Sequence, residues 1–152
     1  MDDVKHLDVL LDRLRRWYAP GVLCIGDAAH AMSPAGGVGI NLAVQDAVAT
    51  ARLLAEPLCR GALQQPDGDR LLARVQRRRT FPTVVIQAVQ RFLHARLIVP
   101  TLDGEVTEPP RRLLTLLRRI PVLTALPAII IGIGPWPEKV PAWARRTPQP
   151  RS

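Results

Sequence analysis

The sequence predicts a mostly helical α/β chain, with one or two strands near its start followed by about four to five α-helices. Three observations carry this. Val22, Leu23, Cys24 and Ile25 form an apolar run too short for a helix and flanked by Gly21 and Gly26, which suits a buried strand. From Gly39 onward, Ile40, Ala43, Val44, Ala47, Val48 and Ala51 recur at spacings of three and four, a helical period. The same spacing returns in Leu71, Leu72 and Val75, and again in Val85, Ile86, Val89, Phe92 and Leu93.

In chain order, residues 2–18 are ambiguous. Val4, Leu7, Leu11 and Leu14 fit a helix, whereas alternation through Val9, Leu11, Arg13, Arg15 and Trp17 fits an extended ribbon. Pro20-Gly21 is a turn signal leading into the strand at 22–25. A helix follows over 39–58, with Pro57 and Gly61 marking its end. Residues 60–68 read as a polar loop, and Asp67 or Asp69 is placed to cap the next helix, over 70–79. In that helix Arg74, Arg77, Arg78 and Arg79 make the wet side, and Pro82 is expected to break or kink it before a further helix over 83–99. Residues 100–110 read as a loop, and two short helices, 111–120 and 122–131, are split by Pro121. No internal repeat is evident.

Residues 22–42 hold the chemistry. Gly26 lets the backbone turn sharply where the strand stops. Asp27 then lies at the strand tip, facing the crevice where open α/β sheets bind ligands, and its carboxylate can accept hydrogen bonds from sugar or ribityl hydroxyls. Pro34 makes a rigid corner. Gly36, Gly37 and Gly39 strip side chains from the start of the helix, so that its backbone N–H groups can lie against a ligand. A helix start of this kind, with open donors and the positive end of the dipole, suits a pyrophosphate or an electron-rich ring carbonyl. Asn41 can cap or bond locally. His30 reads as a structural hydrogen-bonder and Asp46, in the second turn, as a solvated or capping carboxylate.

Gly26-Asp27-Ala28-Ala29-His30, followed by Pro34 and the glycine cluster up to Asn41, resembles the second FAD-binding motif of the aromatic-ring hydroxylases, the FAD-dependent monooxygenases of the p-hydroxybenzoate hydroxylase type. The likeness runs from Arg13 to about Phe81. It implies that Asp27 binds the ribityl chain of FAD, that Pro34 lies beside the reactive edge of the flavin, and that the backbone N–H groups around Gly39, Ile40 and Asn41 face the pyrimidine end of the ring, with Gly26, Gly36 and Gly37 completing the cofactor-binding set. It further implies NADH or NADPH as reductant, and an extended rather than helical segment over 9–17. In that family a strand-GxGxxG-helix unit, which this sequence lacks, binds the pyrophosphate. The expected organisation is therefore the C-terminal part of a Rossmann-like FAD-binding domain over 1–99, an apolar helical extension over 100–134, and a disordered Pro/Arg-rich tail over 135–152. The expected partner is FAD, with a separate chain carrying the N-terminal half as one source of the missing unit and an upstream segment as the other. The chain is expected to be inactive alone, a truncated product, a split subunit or a remnant, and no general base or other catalytic residue is identified.

Composition allows an alternative. Lys and Arg number 21 against 13 acidic residues, a net charge of +8, and 121–135 is strongly apolar. A small basic helical module on an anionic membrane surface or a nucleic acid would look similar. Aromatic residues make up 4%, few for a stacking platform, so no nucleic acid is expected; the apolar stretch is too short to span a membrane but leaves surface contact open, alongside burial in a pocket or interface. Cys24 and Cys59 show no ligand spacing, so no metal is expected. The start has no basic-then-apolar leader pattern, and a cytoplasmic location is the default expectation.

Overall fold

The computed structural model describes residues 11–34, 37–95, 129 and 132–145. An irregular hairpin leads into two antiparallel helices. Strands β1 (Tyr18–Ala19) and β2 (Val22–Leu23) pair antiparallel, Tyr18 opposite Leu23 and Ala19 opposite Val22. Pro20 and Gly21 make the turn, with Gly21 at φ +75°. Pairing continues loosely away from the turn: Cys24 N–H donates to the Trp17 carbonyl, Leu14 N–H to the Ala29 carbonyl, and Arg13 bridges His30. Residues 13–17 are thus extended, while 1–10 lie outside the described residues.

The expected buried strand at 22–25 is corrected here. The ladder covers only Val22–Leu23, and Val22 is 56% exposed. The reason is that β1 is the only strand beside it among the described residues, and a two-stranded ribbon leaves a face to solvent.

Helix α1 is Val38–Cys59, within a residue of the sequence expectation at each end. Its buried face does not follow the apolar period read from the sequence. Val38, Leu42, Asp46, Ala49 and Leu54 are buried, whereas Ile40 is 74% and Val44 57% exposed, with Ala47 and Ala51 exposed beside them. At 100° per residue these four form a stripe opposite Leu42 and Ala49. Pro57 falls inside the last turn, and Gly61, at φ +66°, reverses the chain through a single turn at Ala62–Gln64.

Helix α2 is Gly68–Leu93, one helix where two were expected. Asp67 stands at its N-cap without a side-chain capping bond, and Asp69 lies in its first turn. Pro82 is buried within α2 and does not end it. A mid-helix proline costs about 3 kcal/mol. Here both flanks are anchored in the same core, Arg79 before it and Thr83 and Ile86 after it. The expected helices at 111–120 and 122–131 lie in or almost wholly in the stretch outside the described residues, so two α-helices stand among the described ones.

Two apolar clusters fix the helix pair. Met32, Val38, Leu42 and Ile86 pack at one end; Leu54, Leu72 and Val75 pack at the other, with Tyr18, Leu23, Leu53, Leu63 and Leu71 against them. Between them lies a polar layer, fully buried, of His30, Asp46, Arg79, Thr83 and Gln87, roofed by Trp17. Of the stretch expected as a tail, residues 135–145 are described; Glu138 is buried, and a short turn, Ala142–Ala144, follows. No helix among the described residues is long and apolar enough to cross a membrane.

Candidate functional site

The site begins at Gly26. Its φ of +58° is left-handed, and a Cβ there would stand 3.0 Å from the Cβ of Ala43. Glycine therefore both allows the turn and brings the strand end against α1. The chain then makes one tight turn, Gly26–Ala28, with the N–H groups of Ala29 and His30 both donating to the Gly26 carbonyl at 2.9 Å. That turn puts the exposed Asp27 outward, over the start of α1. A Cβ on Gly39 would lie 3.7 Å from Asp27 Oδ1 and 3.4 Å from the Met32 Cβ, so the bare backbone leaves the space beside the carboxylate clear.

The start of α1 is open. Gly37, at φ +63°, is its N-cap, and no side chain caps it. No acidic residue occupies the first turn. Helical geometry leaves the first-turn N–H groups through Ile40 without an intrahelical acceptor. The structure thus brings Gly26, Asp27, Gly37, Gly39 and Ile40 together. Pro34 is exposed on the loop before them, its carbonyl accepting the Gly37 N–H at 3.1 Å. Asn41 turns its amide to the Gly132 carbonyl at 3.0 Å, and Gln45 bonds the Ile133 carbonyl. Gly36 lies outside the described residues.

Beneath the loop lies the feature that sequence reasoning misread. Asp46 is neither solvated nor a cap: it is fully buried. Its Oδ2 accepts the Gly26 N–H at 3.0 Å and faces His30 Nε2 at 2.6 Å; its Oδ1 accepts from Arg79 Nε at 2.7 Å. Burial pushes the Asp46 carboxyl up, but the bonds from His30, Arg79 and the Gly26 N–H outweigh it and hold its pKa below the ordinary aspartate value. His30 is the structural hydrogen-bonder expected, its ring 5.1 Å from the Trp17 ring and its Nδ1 buried without a partner among the described residues. Arg79, placed on the wet side by the sequence, is fully buried.

The layer extends outward through Arg79. Its Nη1 reaches the Trp136 carbonyl at 3.4 Å and Glu138 Oε1 at 3.9 Å. Glu138 also takes a two-pronged pair from Arg78 and stands 3.4 Å from Arg52. We expect Glu138→Ala to cost about 2–3 kcal/mol, less than the ~3–5 kcal/mol of a wholly buried pair because Arg52 and Arg78 reach solvent. Thermal unfolding measures the cost, and faster amide exchange confined to 132–145 would locate it. An unchanged melting temperature would show that Glu138 holds nothing.

Three glutamines were also missed. Gln76 bonds Trp17 N–H and the Arg15 carbonyl; Gln87 bonds the Asp12 and Ala31 carbonyls and accepts from Arg13; Gln90 bonds Ser33 at both backbone groups. They tie the hairpin and the motif loop to α2. The signal was available as a period: Leu72, Val75, Arg79, Thr83, Ile86 and Gln90 follow one helical stripe across Pro82.

The donors present fit FAD. An exposed carboxylate stands beside an uncapped helix start, with a side-chain-free surface between them, offering an acceptor for hydroxyls and donors for an anionic edge.

A family model described as an FAD binding domain matches residues 1–89. Over 100 residues the chain is 46% identical to 6-methylpretetramide 4-monooxygenase of Streptomyces rimosus, covering 65% of this chain and 22% of that protein. Over 144 residues it is 32% identical to the FAD-dependent monooxygenase atmM of Aspergillus flavus, covering 84% of this chain and 28% of that protein. The chain thus spans about a quarter of the length of these relatives. No solved structure matches it.

Proposed function

The chain belongs to the FAD-dependent monooxygenase family that shares this FAD binding domain, and from that premise we propose that it supplies one wall of the flavin site of such an enzyme. The observation that carries the reading is the Asp27 carboxylate set over the open start of α1. In this reading Asp27 accepts hydrogen bonds from the ribityl hydroxyls. The backbone of Gly39 and Ile40 presents N–H groups to the electron-rich edge of the ring, where the dipole of α1 favours added negative charge. Pro34 borders the ring. When bound, FAD supplies the redox and oxygen chemistry of the monooxygenase, with NADH or NADPH as the source of electrons. Asp46 acts at one remove, fixing the Gly26 N–H and with it the turn that aims Asp27.

The remainder of the site lies on polypeptide that carries a GxGxxG unit, in the same protein or on a partner chain. The exposed stripe of Ile40, Val44, Ala47 and Ala51, together with exposed Val22, supports this reading, because that face of the fold finds no cover among the described residues.

Flavin titration tests it. The 152-residue chain alone is expected to bind FAD weakly or not at all. Mixed with the GxGxxG-bearing segment of a relative, it is expected to bind FAD, with Asp27→Ala lowering affinity at least about tenfold. Stoichiometric FAD on the isolated chain, retained in Asp27→Ala, would overturn the reading.

A further inference from the structure

A second feature lies toward the other end of α2 and owes nothing to the flavin reading. Residues 15–18 and the first half of α2 border a cleft of about 750 Å³, and a second cleft of about 460 Å³ adjoins it. Arg77 lines both clefts, which flank it as a divided groove. Six arginines line that groove, namely Arg15, Arg16, Arg70, Arg74, Arg77 and Arg78, and among the described residues no acidic side chain lines it. Some of the charge is answered at the rim: Asp69 pairs with Arg16, Asp67 with Arg70 and Glu138 with Arg78. Arg15, Arg74 and Arg77 have no carboxylate partner among the described residues.

Folding accounts for Arg78, which holds Glu138, but not for Arg15, Arg74 and Arg77. Arg70, Arg74, Arg77 and Arg78 recur at helical spacing, and like charges three and four apart on a helix repel. The groove also holds aromatic surface. Phe81 and Trp136 meet edge to face, ring centroids 6.2 Å apart, and both are more than half exposed. Buried aromatic pairs stabilise a core; an exposed pair among unpaired arginines offers a flat apolar face beside cationic donors instead. Arg77 and Phe81 are one helical turn apart, about 6 Å along the axis, so a single nucleotide spans them.

We propose that this groove binds a phosphorylated nucleoside, with its phosphates on Arg15, Arg70 and Arg77 and its base against Phe81 and Trp136. Guanosine diphosphate is a suitable probe because it is not a portion of FAD. Titrated into the 152-residue chain at low salt and followed by tryptophan fluorescence, it is expected to bind saturably at one site. Arg77→Glu should weaken binding at least about tenfold, and Arg77→Gln less. Trp136→Ala should weaken it about fivefold or more while leaving inorganic pyrophosphate binding unchanged. Asp27→Ala should leave guanosine diphosphate binding intact, which separates this groove from the flavin site. Circular dichroism confirms that each variant is folded, and Arg77→Gln serves if Arg77→Glu is not. Three results would overturn the proposal: binding indifferent to Arg77→Gln and Arg77→Glu; pyrophosphate binding as tightly as the nucleotide with no effect of Trp136→Ala; or single-stranded oligonucleotides binding ever more tightly with length, which would make the groove a strand track.

Discussion

Asp46→Ala is expected to cost about 3–5 kcal/mol and to leave little cooperative fold. The carboxylate is fully buried and answers three donors: the Gly26 N–H, His30 Nε2 and Arg79 Nε. Alanine removes all three bonds and leaves the fully buried Arg79 guanidinium with only the longer contacts to the Trp136 carbonyl at 3.4 Å and Glu138 at 3.9 Å. The cost of such a change is the uncompensated charge more than the lost attraction. Domains of this size hold about 5–15 kcal/mol in total, so the loss is a large share. Urea denaturation measures it, and the double variant Asp46→Ala/Arg79→Met separates the causes. If stranded charge dominates, the double variant recovers stability over Asp46→Ala alone. A cost under about 1 kcal/mol for Asp46→Ala would refute the role given to the buried layer.

The same group sets a pH dependence. Its pKa is lowered in the folded chain below the ordinary value of 3.8. The unfolded chain therefore takes up the proton first as pH falls. The stabilisation is fully present above the unfolded value and is lost as pH drops from there through the folded one. Acid unfolding should then begin near pH 4 and shift in Asp46→Asn, which has no carboxyl to titrate.

Gly68→Ala is the second large effect, expected to cost about 2–4 kcal/mol. Near a helix start this exchange ordinarily helps, since alanine loses less backbone freedom on folding. Here an added Cβ would stand 2.8 Å from the carbonyl carbon of Leu63 and closer still to its oxygen. The obstacle is backbone, so no rotamer relieves it. Either the turn at Ala62–Gln64 or the first turn of α2 has to move, which disturbs the packing of Leu63 against Leu54, Leu72 and Val75. Gly61→Ala is the fitting comparison. Its φ is +66°, but among the described residues a Cβ there would meet within 4 Å only the end of the Gln64 side chain, at 3.6 Å. That substitution should cost about 1 kcal/mol from backbone strain alone. Equal or greater stability of Gly68→Ala would show that the Leu63 carbonyl yields without loss.

Local features were legible in the sequence. Pro20-Gly21 marked the hairpin turn, and α1 was located to within a residue because its period and its ends are written in neighbouring residues. The gathering of Asp27 and Gly39 was legible too, since they stand only twelve positions apart, across one loop and a helix start. The buried layer was not. A single aspartate on a helix is solvated by default, and the residue that reverses this for Asp46 stands 33 positions later. Arg79 was hidden in turn by its neighbours, since a run of three arginines reads as one wet face. Pro82 hid the continuity of α2, because the packing that tolerates it comes from residues remote in the chain. The apolar stripe on α1 was legible as a period, but hydropathy tells that a face prefers cover, not whether the described residues provide it.

The pairing of Arg78 and Arg79 with residues 136–138 also bears on the order in which the molecule is completed. A ribosome releases Gly26 and Asp27 before Arg79, and Trp136 and Glu138 some sixty residues after that. Until then the outer edge of the Arg79 guanidinium has only water or passing groups to bond. The ligand loop thus reaches its final stiffness only when a distant stretch of the same polypeptide has been made and has settled onto the helices.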